Sequence, residues 1–142
     1  MKGFELFNLC VAKEWPDVRK YVSSDAAEEE KKSNIMRCND DGITCLHLAC
    51  GRDPPDNIIK AMLDIGGKEL FMMTDDDDRT SLHYACITGA SYNIIKMLIE
   101  VGGKDLVMTK TKGGGGTALY FLCIAIETHQ GRRENQTLSS NW

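Results

Sequence analysis

The sequence predicts an all-α fold of stacked helical hairpins, and two observations carry that prediction. The first is internal similarity. TCLHLACGRDPPDNIIKAMLDIGGKELFMMTDD, from Thr44, returns 36 residues later as TSLHYACITGASYNIIKMLIEVGGKDLVMTKTK, from Thr80. Thr44, Leu46, His47, Ala49 and Cys50 recur as Thr80, Leu82, His83, Ala85 and Cys86. Asn57-Ile58-Ile59-Lys60 recurs as Asn93-Ile94-Ile95-Lys96, and Gly66, Gly67, Lys68 and Leu70 recur as Gly102, Gly103, Lys104 and Leu106. The second observation is periodicity: within each copy the apolar residues fall at helical spacing. A helix pair of this length cannot bury its apolar face alone. Copies therefore stack at right angles to a common axis, and stability becomes a sum over neighbours.

The element pattern follows copy by copy. In the second full copy, Ser81–Thr88 forms about two helical turns with Leu82, Ala85 and Cys86 on one face. Gly89 ends that helix, as a residue that tolerates positive φ. Tyr92–Val101 is a second helix with the stripe Ile94, Ile95, Leu98 and Ile99, stopped by Gly102 and Gly103. LVMTKTK is expected to cross back in extended or irregular, hairpin-like form. Pro55 suits the first turn of the corresponding second helix in the preceding copy, and Pro16 does the same near the N-terminus. There LFNLCVAKEWPDVRKYV, from Leu6, aligns with LHYACITGASYNIIKML from Leu82. It lacks the Thr-x-Leu-His start and leads into a charged connector, SSDAAEEEKKSN. A last copy, shifted by 37, places Thr117, Leu119 and Cys123 on Thr80, Leu82 and Cys86. The expected organisation is one repeat domain over 1–126: a cap-like repeat at 4–34, repeats at 39–74 and 75–111, and a truncated repeat at 112–126. A polar, disordered tail is expected at 127–142.

Asp41-Gly42-Ile43-Thr44-Cys45-Leu46-His47-Leu48-Ala49-Cys50 resembles the ankyrin repeat signature, Gly-x-Thr-Pro-Leu-His-x-Ala-Ala. Gly66 and Gly102 resemble the glycine that closes the ankyrin outer helix. The resemblance covers roughly residues 4 to 126. It departs from the family where Cys45, Ser81 and Ala118 stand for proline, where Asp78 stands for glycine, and in its period of 36 to 37 residues. Tetratricopeptide repeats have a similar period but lack the Thr-x-Leu-His start after a Gly/Asp turn. The resemblance implies that Thr44, Leu46, His47, Ala49, Thr80, Leu82, His83, Ala85, Gly89, Gly102, Thr117 and Leu119 are structural. It also implies that the histidines fix the turns through hydrogen bonds to backbone.

Composition narrows the function classes. A net charge of −4 and a pI near 5.4 argue against a nucleic-acid partner, which calls for basic patches. Apolar runs fall short of the ~20 residues a membrane helix needs, and the N-terminus is not a signal peptide. The expectation is an intracellular, cytoplasmic protein. Its six cysteines, Cys10, Cys38, Cys45, Cys50, Cys86 and Cys123, lack zinc spacing and read as buried free thiols.

No motif carries catalytic chemistry. Gly67-Lys68 and Gly103-Lys104 are followed by acids, where a phosphate-binding loop needs Ser or Thr. Gly113, Gly115 and Ala118 approach a dinucleotide fingerprint but lack the βαβ setting it requires. His47 and His83 lie one repeat apart, too far to share a metal, and Thr44 and Thr80 read as helix caps. Asp75 to Asp78 has Cys86 where a calcium loop needs its glutamate. It reads as a solvated turn, or as an acidic edge for a basic partner. His129 and the sequon at Asn135 fall in the polar tail. No cofactor and no metal are expected.

The expected function is therefore non-catalytic: a module that binds an unidentified protein on the concave face formed by turn tips and first helices. The frame stays fixed between copies while Asp40, Asp41, Ile43, Gly51 and Arg52 in one give way to Asp76, Asp77, Arg79, Ile87 and Thr88 in the next. The alternative is a piece of a longer or self-associating array. After 118–126 the tail offers only Leu138 and Trp142 as apolar cover, so Leu119, Phe121, Leu122, Ile124 and Ile126 present a candidate self-association surface.

Overall fold

The computed structural model describes residues 4–127 as a two-row stack of helices. The inner row holds α1 (Glu5–Val11), α4 (Cys45–Cys50) and α6 (Ser81–Thr88), and the outer row holds α2 (Trp15–Val22), α5 (Asp56–Phe71) and α7 (Tyr92–Met108). Helix α4 packs on α1 and α6, while α5 packs on α2 and α7. A further helix, α8 (118–127), follows the glycine-rich turn. No strand forms among the described residues, and one isolated antiparallel bridge joins Cys38 to Thr44. The expected tail beyond 127, with His129, Asn135, Leu138 and Trp142, lies outside the described residues.

One core runs between the rows. Leu6, Leu46 and Leu82 are fully buried from the inner helices, and Ile58, Met62, Ile94 and Leu98 meet them from the outer ones. These are the repeated positions, so each copy contributes the same side chains to the same layer. Cys10, Cys45, Cys50 and Cys86 are buried among them, but Cys38 and Cys123 are exposed. The reading of all six cysteines as buried holds for four. Cys38 sits at the turn, before the first buried position of its copy.

Two elements differ from the sequence expectation. The charged connector contains a helix, α3 (Glu28–Met36), which packs on α5. Three acids in its first turn suit the positive end of a helix. Only Lys31, Asn34 and Ile35 are buried, so two of its three inward positions are polar and its apolar stripe is a single residue. The polar pair is satisfied. Lys31 Nζ donates to Ser24 O at 3.2 Å and pairs with Glu28, and Asn34 Nδ2 donates to Tyr21 Oη at 2.6 Å.

The second difference concerns the glycine pairs, which interrupt the outer helices without ending them. Gly67 (φ 63°, ψ −158°) and Gly103 (φ 58°, ψ −152°) each break the helical path, after which the chain turns through one more short helical segment. Leu70 and Leu106 in those segments are buried and fold back over Gly66 and Gly102. Leu106 to Met108, expected in the irregular connector, are therefore helical. The two glycines of each pair do different work. The second supplies a positive φ in open space, and the first leaves room for the leucine four residues on.

This division gives two expectations. Gly103→Ala places a β-carbon at φ 58° and ψ −152°, a region that only glycine ordinarily adopts, and should cost roughly 1–3 kcal/mol. Gly102→Ala puts a β-carbon into the Leu106 side chain and should cost a similar amount, roughly 1–3 kcal/mol. Urea denaturation of the two variants checks both, and a loss within about 0.5 kcal/mol of zero for either would refute its assignment.

Candidate functional site

The inner face is built outward from the Thr-x-x-His unit. Thr44 precedes α4 with extended backbone, and its hydroxyl accepts from the His47 amide at 3.3 Å. In return the Thr44 amide donates to His47 Nδ1 at 3.1 Å, so two otherwise unpaired donors at the helix start satisfy each other's residue. An Nδ1 that accepts from an amide leaves the proton on Nε2. That nitrogen donates to Arg79 O, in the next turn, at 3.0 Å. The same arrangement recurs one repeat on. Thr80 caps α6, its amide donates to His83 Nδ1 at 3.1 Å, and His83 Nε2 donates to Gly116 O at 3.2 Å.

The turns repeat as well. Asn39 N donates to Ile43 O and Asp75 N to Arg79 O, both at 3.0 Å, closing loops of equal length. Asn39 Oδ1 accepts from the amides of Asp41 and Ile43, and Asp75 Oδ1 from those of Asp77 and Arg79. The third turn, closed by Thr111 N to Gly116 O at 3.0 Å, has one residue more and no acid, and its glycines supply the positive φ at Gly113 (76°) and Gly115 (61°). Asp78 keeps a left-handed φ of 58° where Gly42 has 77°. Successive turns are joined by Asp76 N to Asp41 O at 2.9 Å and Lys112 N to Asp77 O at 3.0 Å. Lys112 Nζ donates to Asp76 O at 2.7 Å, so the lysine beside the four glycines braces the preceding turn.

Asp75 and Arg79 are not free surface charges. The Asp75 side chain is buried, receives Arg79 Nε at 2.9 Å and accepts from Tyr84 Oη at 2.6 Å. Burial alone would raise its pKa. The Tyr84 hydroxyl, the Arg79 and Asp77 amides and the Arg79 charge outweigh that and hold it below the ordinary carboxylate value. Arg79 also reaches Asp77 at 2.9 Å and lies over the Tyr84 ring at 5.4 Å. The run Asp75 to Asp78, expected as a solvated turn, is thus split: Asp75 is structural, while Asp76 and Asp77 are exposed.

Past Tyr84 the inner face changes character. Ile87 and Thr88 are exposed, and Gly51 and Arg52 are half-buried at the matching positions of α4. A cavity of about 340 Å³ opens here, lined by Lys13, His47, Leu48, Gly51, Arg52, Tyr84 and Thr88. Asp40 and Asp41 are exposed and Ile43 is half-buried at the turn edge. The turn edge thus carries the exposed acids Asp40, Asp41, Asp76 and Asp77, while the far ends of the inner helices carry both signs, Lys13 beside Glu14 and Arg52 beside Asp53. Lys13 was not singled out from sequence. Its position matches Gly89 in the copy alignment, and both carry left-handed φ, 59° and 71°.

The buried thiols behind the face are not activated. Burial pushes the Cys86 thiol up to about 11, and Cys50 is raised for the same reason. The Cys45 thiol is raised by a hydrogen bond with Cys10 and by burial, so none of the three is a thiolate at neutral pH. Among the described residues no group of three His, Cys, Asp or Glu is arranged to hold a metal ion, and no helix is long and apolar enough to cross a membrane.

Comparison with known proteins agrees with this geometry. The family described as "Ankyrin repeats (3 copies)" matches residues 18–110, roughly two thirds of the chain. The protein belongs to the ankyrin repeat family. No curated protein matches the sequence. Among solved structures, one similar chain comes from the complex of the Bd0816 predatory endopeptidase of Bdellovibrio bacteriovorus with the immunity protein Bd3460. It shows 18% identity and a TM-score of 0.60, over 82% of this chain and 55% of that one, so this chain spans about half its length. Another comes from the yeast ribosomal protein Rps3 in complex with its chaperone Yar1, at 14% identity and a TM-score of 0.67, covering 97% of this chain and 92% of that one. At these identities the likeness shows the fold.

The histidines make the stack acid-sensitive. Burial holds His47 and His83 below the ordinary histidine value, against the opposing pull of the Arg79 and Gly116 carbonyls. The folded state therefore binds fewer protons than the unfolded chain below pH ~6.5. The stability is fully present above that value and is lost as pH falls through it, by at most about 1.4 kcal/mol per pH unit for each histidine. Urea denaturation between pH 7.5 and 5.5 should show that loss. A His47→Ala/His83→Ala variant, weaker at pH 7.5, should show a flatter slope, and an unchanged slope would refute the assignment.

Proposed function

We propose that this chain is a non-catalytic protein-interaction module that docks a partner protein on its inner face, along the turn tips and first helices. The observation that carries the reading is the split between frame and face. In the two full copies the repeated Thr, Leu, His and Ala positions are buried, whereas in the last copy Thr117 is half-buried and Leu119, expected as structural, is exposed; Val11 and Ile87 project from the inner helices at 42% exposure. Isolated exposed apolar residues are ordinary, but Val11 and Ile87 occupy equivalent positions of α1 and α6 on one side of the stack, which fits docking. Asp40, Asp41, Ile43, Gly51, Arg52, Asp76, Asp77, Ile87 and Thr88 are the proposed contacts. Arg79 shapes the turn and offers only its outer edge, because Asp75 and Asp77 hold it. Both similar structures come from complexes of two proteins, which supports the reading. An intracellular, cytoplasmic setting goes with it, as do the free thiols.

A second reading, self-association through 118–126, has its own support. Leu119, Tyr120 and Ile126 are 45%, 58% and 49% exposed. Light scattering separates the two, since a monomer at high concentration excludes self-association.

Ile87→Arg is the direct test of the inner face. It changes an exposed position, so thermal stability should stay within about 0.5 kcal/mol of the parent. Affinity purification should recover a partner with the parent protein and lose it with Ile87→Arg, by tenfold or more. Equal recovery with both proteins, or no partner above background with either, would contradict the proposal.

A further inference from the structure

We infer that the C-terminal end of the stack pairs with the same end of a second copy of this chain, α8 against α8, about a two-fold axis at Cys123. The inference rests on the self-association reading and adds which residues meet across the pair.

The end of the stack is a core layer without its cover. In the copy alignment Leu119, Tyr120 and Cys123 fall on Leu82, His83 and Cys86. Those three are buried in α6, as Leu46, His47 and Cys50 are in α4, whereas in α8 all three positions are exposed. The other face of the same helix is seated. Ala118 is buried, Leu122 packs on the core, and Phe121 meets His83 edge-on at 5.9 Å. Helices α4 and α6 are covered by α5 and α7, but among the described residues no outer-row helix follows α8. Tyr120 also takes the position from which His47 and His83 each reach the next turn.

The absence of charge on this face narrows what can cover it. Residues 118–126 include no acid and no base, so a charged surface placed against them would lose its water and gain no partner. That disfavours the opposite end of another copy, where a hollow is lined by Glu5, Asp17 and Lys20, and with it an open-ended filament. Residues 128–142 hold Leu138 and Trp142 as their only large apolar side chains, too few to replace the Ile94, Ile95, Leu98 and Ile99 stripe of α7. A second α8 is uncharged in the same way, and apolar faces of this kind are typical of contacts between identical chains.

Symmetry then sets the register. A two-fold axis across the pair runs the helices antiparallel and makes the contact self-complementary. Cys123 lies midway between Tyr120 and Ile126, both along the helix and around it. With the axis there, Tyr120 of each copy lies alongside Ile126 of the other, and neither is left in water. Glu127 at the end of one α8 comes near the start of the other, where the helix dipole is positive. The face consists of Leu119, Tyr120, Cys123 and Ile126 with the neighbouring glycine turn. That is at the low end of specific interfaces, so the pair is weak and concentration-dependent.

The test is sedimentation equilibrium of the full chain from roughly 5 to 500 µM. The parent should pass from monomer to dimer over that range, and Tyr120→Lys and Ile126→Glu should each weaken the dimer at least tenfold. Both positions are exposed, so the melting temperatures should stay within about 2 °C of the parent. An equimolar mixture of the two variants should regain the dimer. Across the axis it sets one Lys–Glu pair and keeps one parental Tyr–Ile pair. A short bismaleimide should join two chains, lose the product with Cys123→Ser and keep it with Cys38→Ser. Ile87→Arg, on the inner face, should leave the dimer unchanged. A dimer that both variants weaken, but that fails either the mixing or the cross-linking test, would overturn the two-fold axis at Cys123 and leave self-association through 118–126 standing. A dimer indifferent to both variants, or a monomer at every concentration, would overturn that reading together with the pairing.

Discussion

A neutral imidazole protonated on Nε2 is the constraint on which the stack depends. His47 accepts a backbone amide on one nitrogen and, for that reason alone, must donate from the other. One ring thereby fixes the start of its own helix and the position of the following turn, 32 residues away in the chain. His83 repeats the geometry toward Gly116. Buried amides and carbonyls with no partner are costly, and here each is satisfied by an element whose position the next repeat needs anyway. Protonating Nδ1 would remove the acceptor for the Thr amide and place a charge where burial opposes it. The repeat junction is consequently tied to the protonation state of two side chains.

From that junction the face acquires its layout. The turns are held by Asn39 and Asp75, each accepting two backbone amides, so their remaining acids point outward. Helices α4 and α6 begin at those turns and end about two turns of helix away, near Arg52 and Thr88. Acids therefore lie at the turn edge and charges of both signs at the other, with Tyr84 and Ile87 between them. Tyr84 also packs edge-on against His47, at 5.0 Å between ring centroids, and His83 meets Phe121 in the same way at 5.9 Å. The frame and the face thus share aromatic side chains.

Most of the fold was legible in the sequence because the repeat exposes it twice. The spacing of Leu82, Ala85 and Cys86, and of Ile94, Ile95, Leu98 and Ile99, is a packing pattern, and packing patterns survive in sequence. What escaped was governed by other physics. Helix α3 buries Lys31 and Asn34, whose inward position depends on Ser24, Glu28 and Tyr21 and not on hydropathy. The glycine pairs looked like stops because glycine signals a positive φ but not the path of the chain beyond it. Only the return of Leu70 and Leu106 over Gly66 and Gly102 shows that the helix resumes. At the candidate site, the differing residues were readable from the two copies, but their freedom was not. Arg79 differs from Ile43 as an exposed contact would, yet a buried aspartate four residues earlier holds it. Lys13 was invisible because nothing in a lysine's identity announces a left-handed backbone. Aligning it with Gly89 is the signal that could have found it.

The most direct measurement of this account is the tautomeric state of the two repeat histidines by long-range nitrogen–proton NMR correlation on the folded protein. The account predicts that His47 and His83 show neutral rings protonated on Nε2 and unprotonated on Nδ1, and that they keep this pattern at pH 6.5. Rings protonated on Nδ1, or carrying both protons at that pH while the protein remains folded, would contradict it.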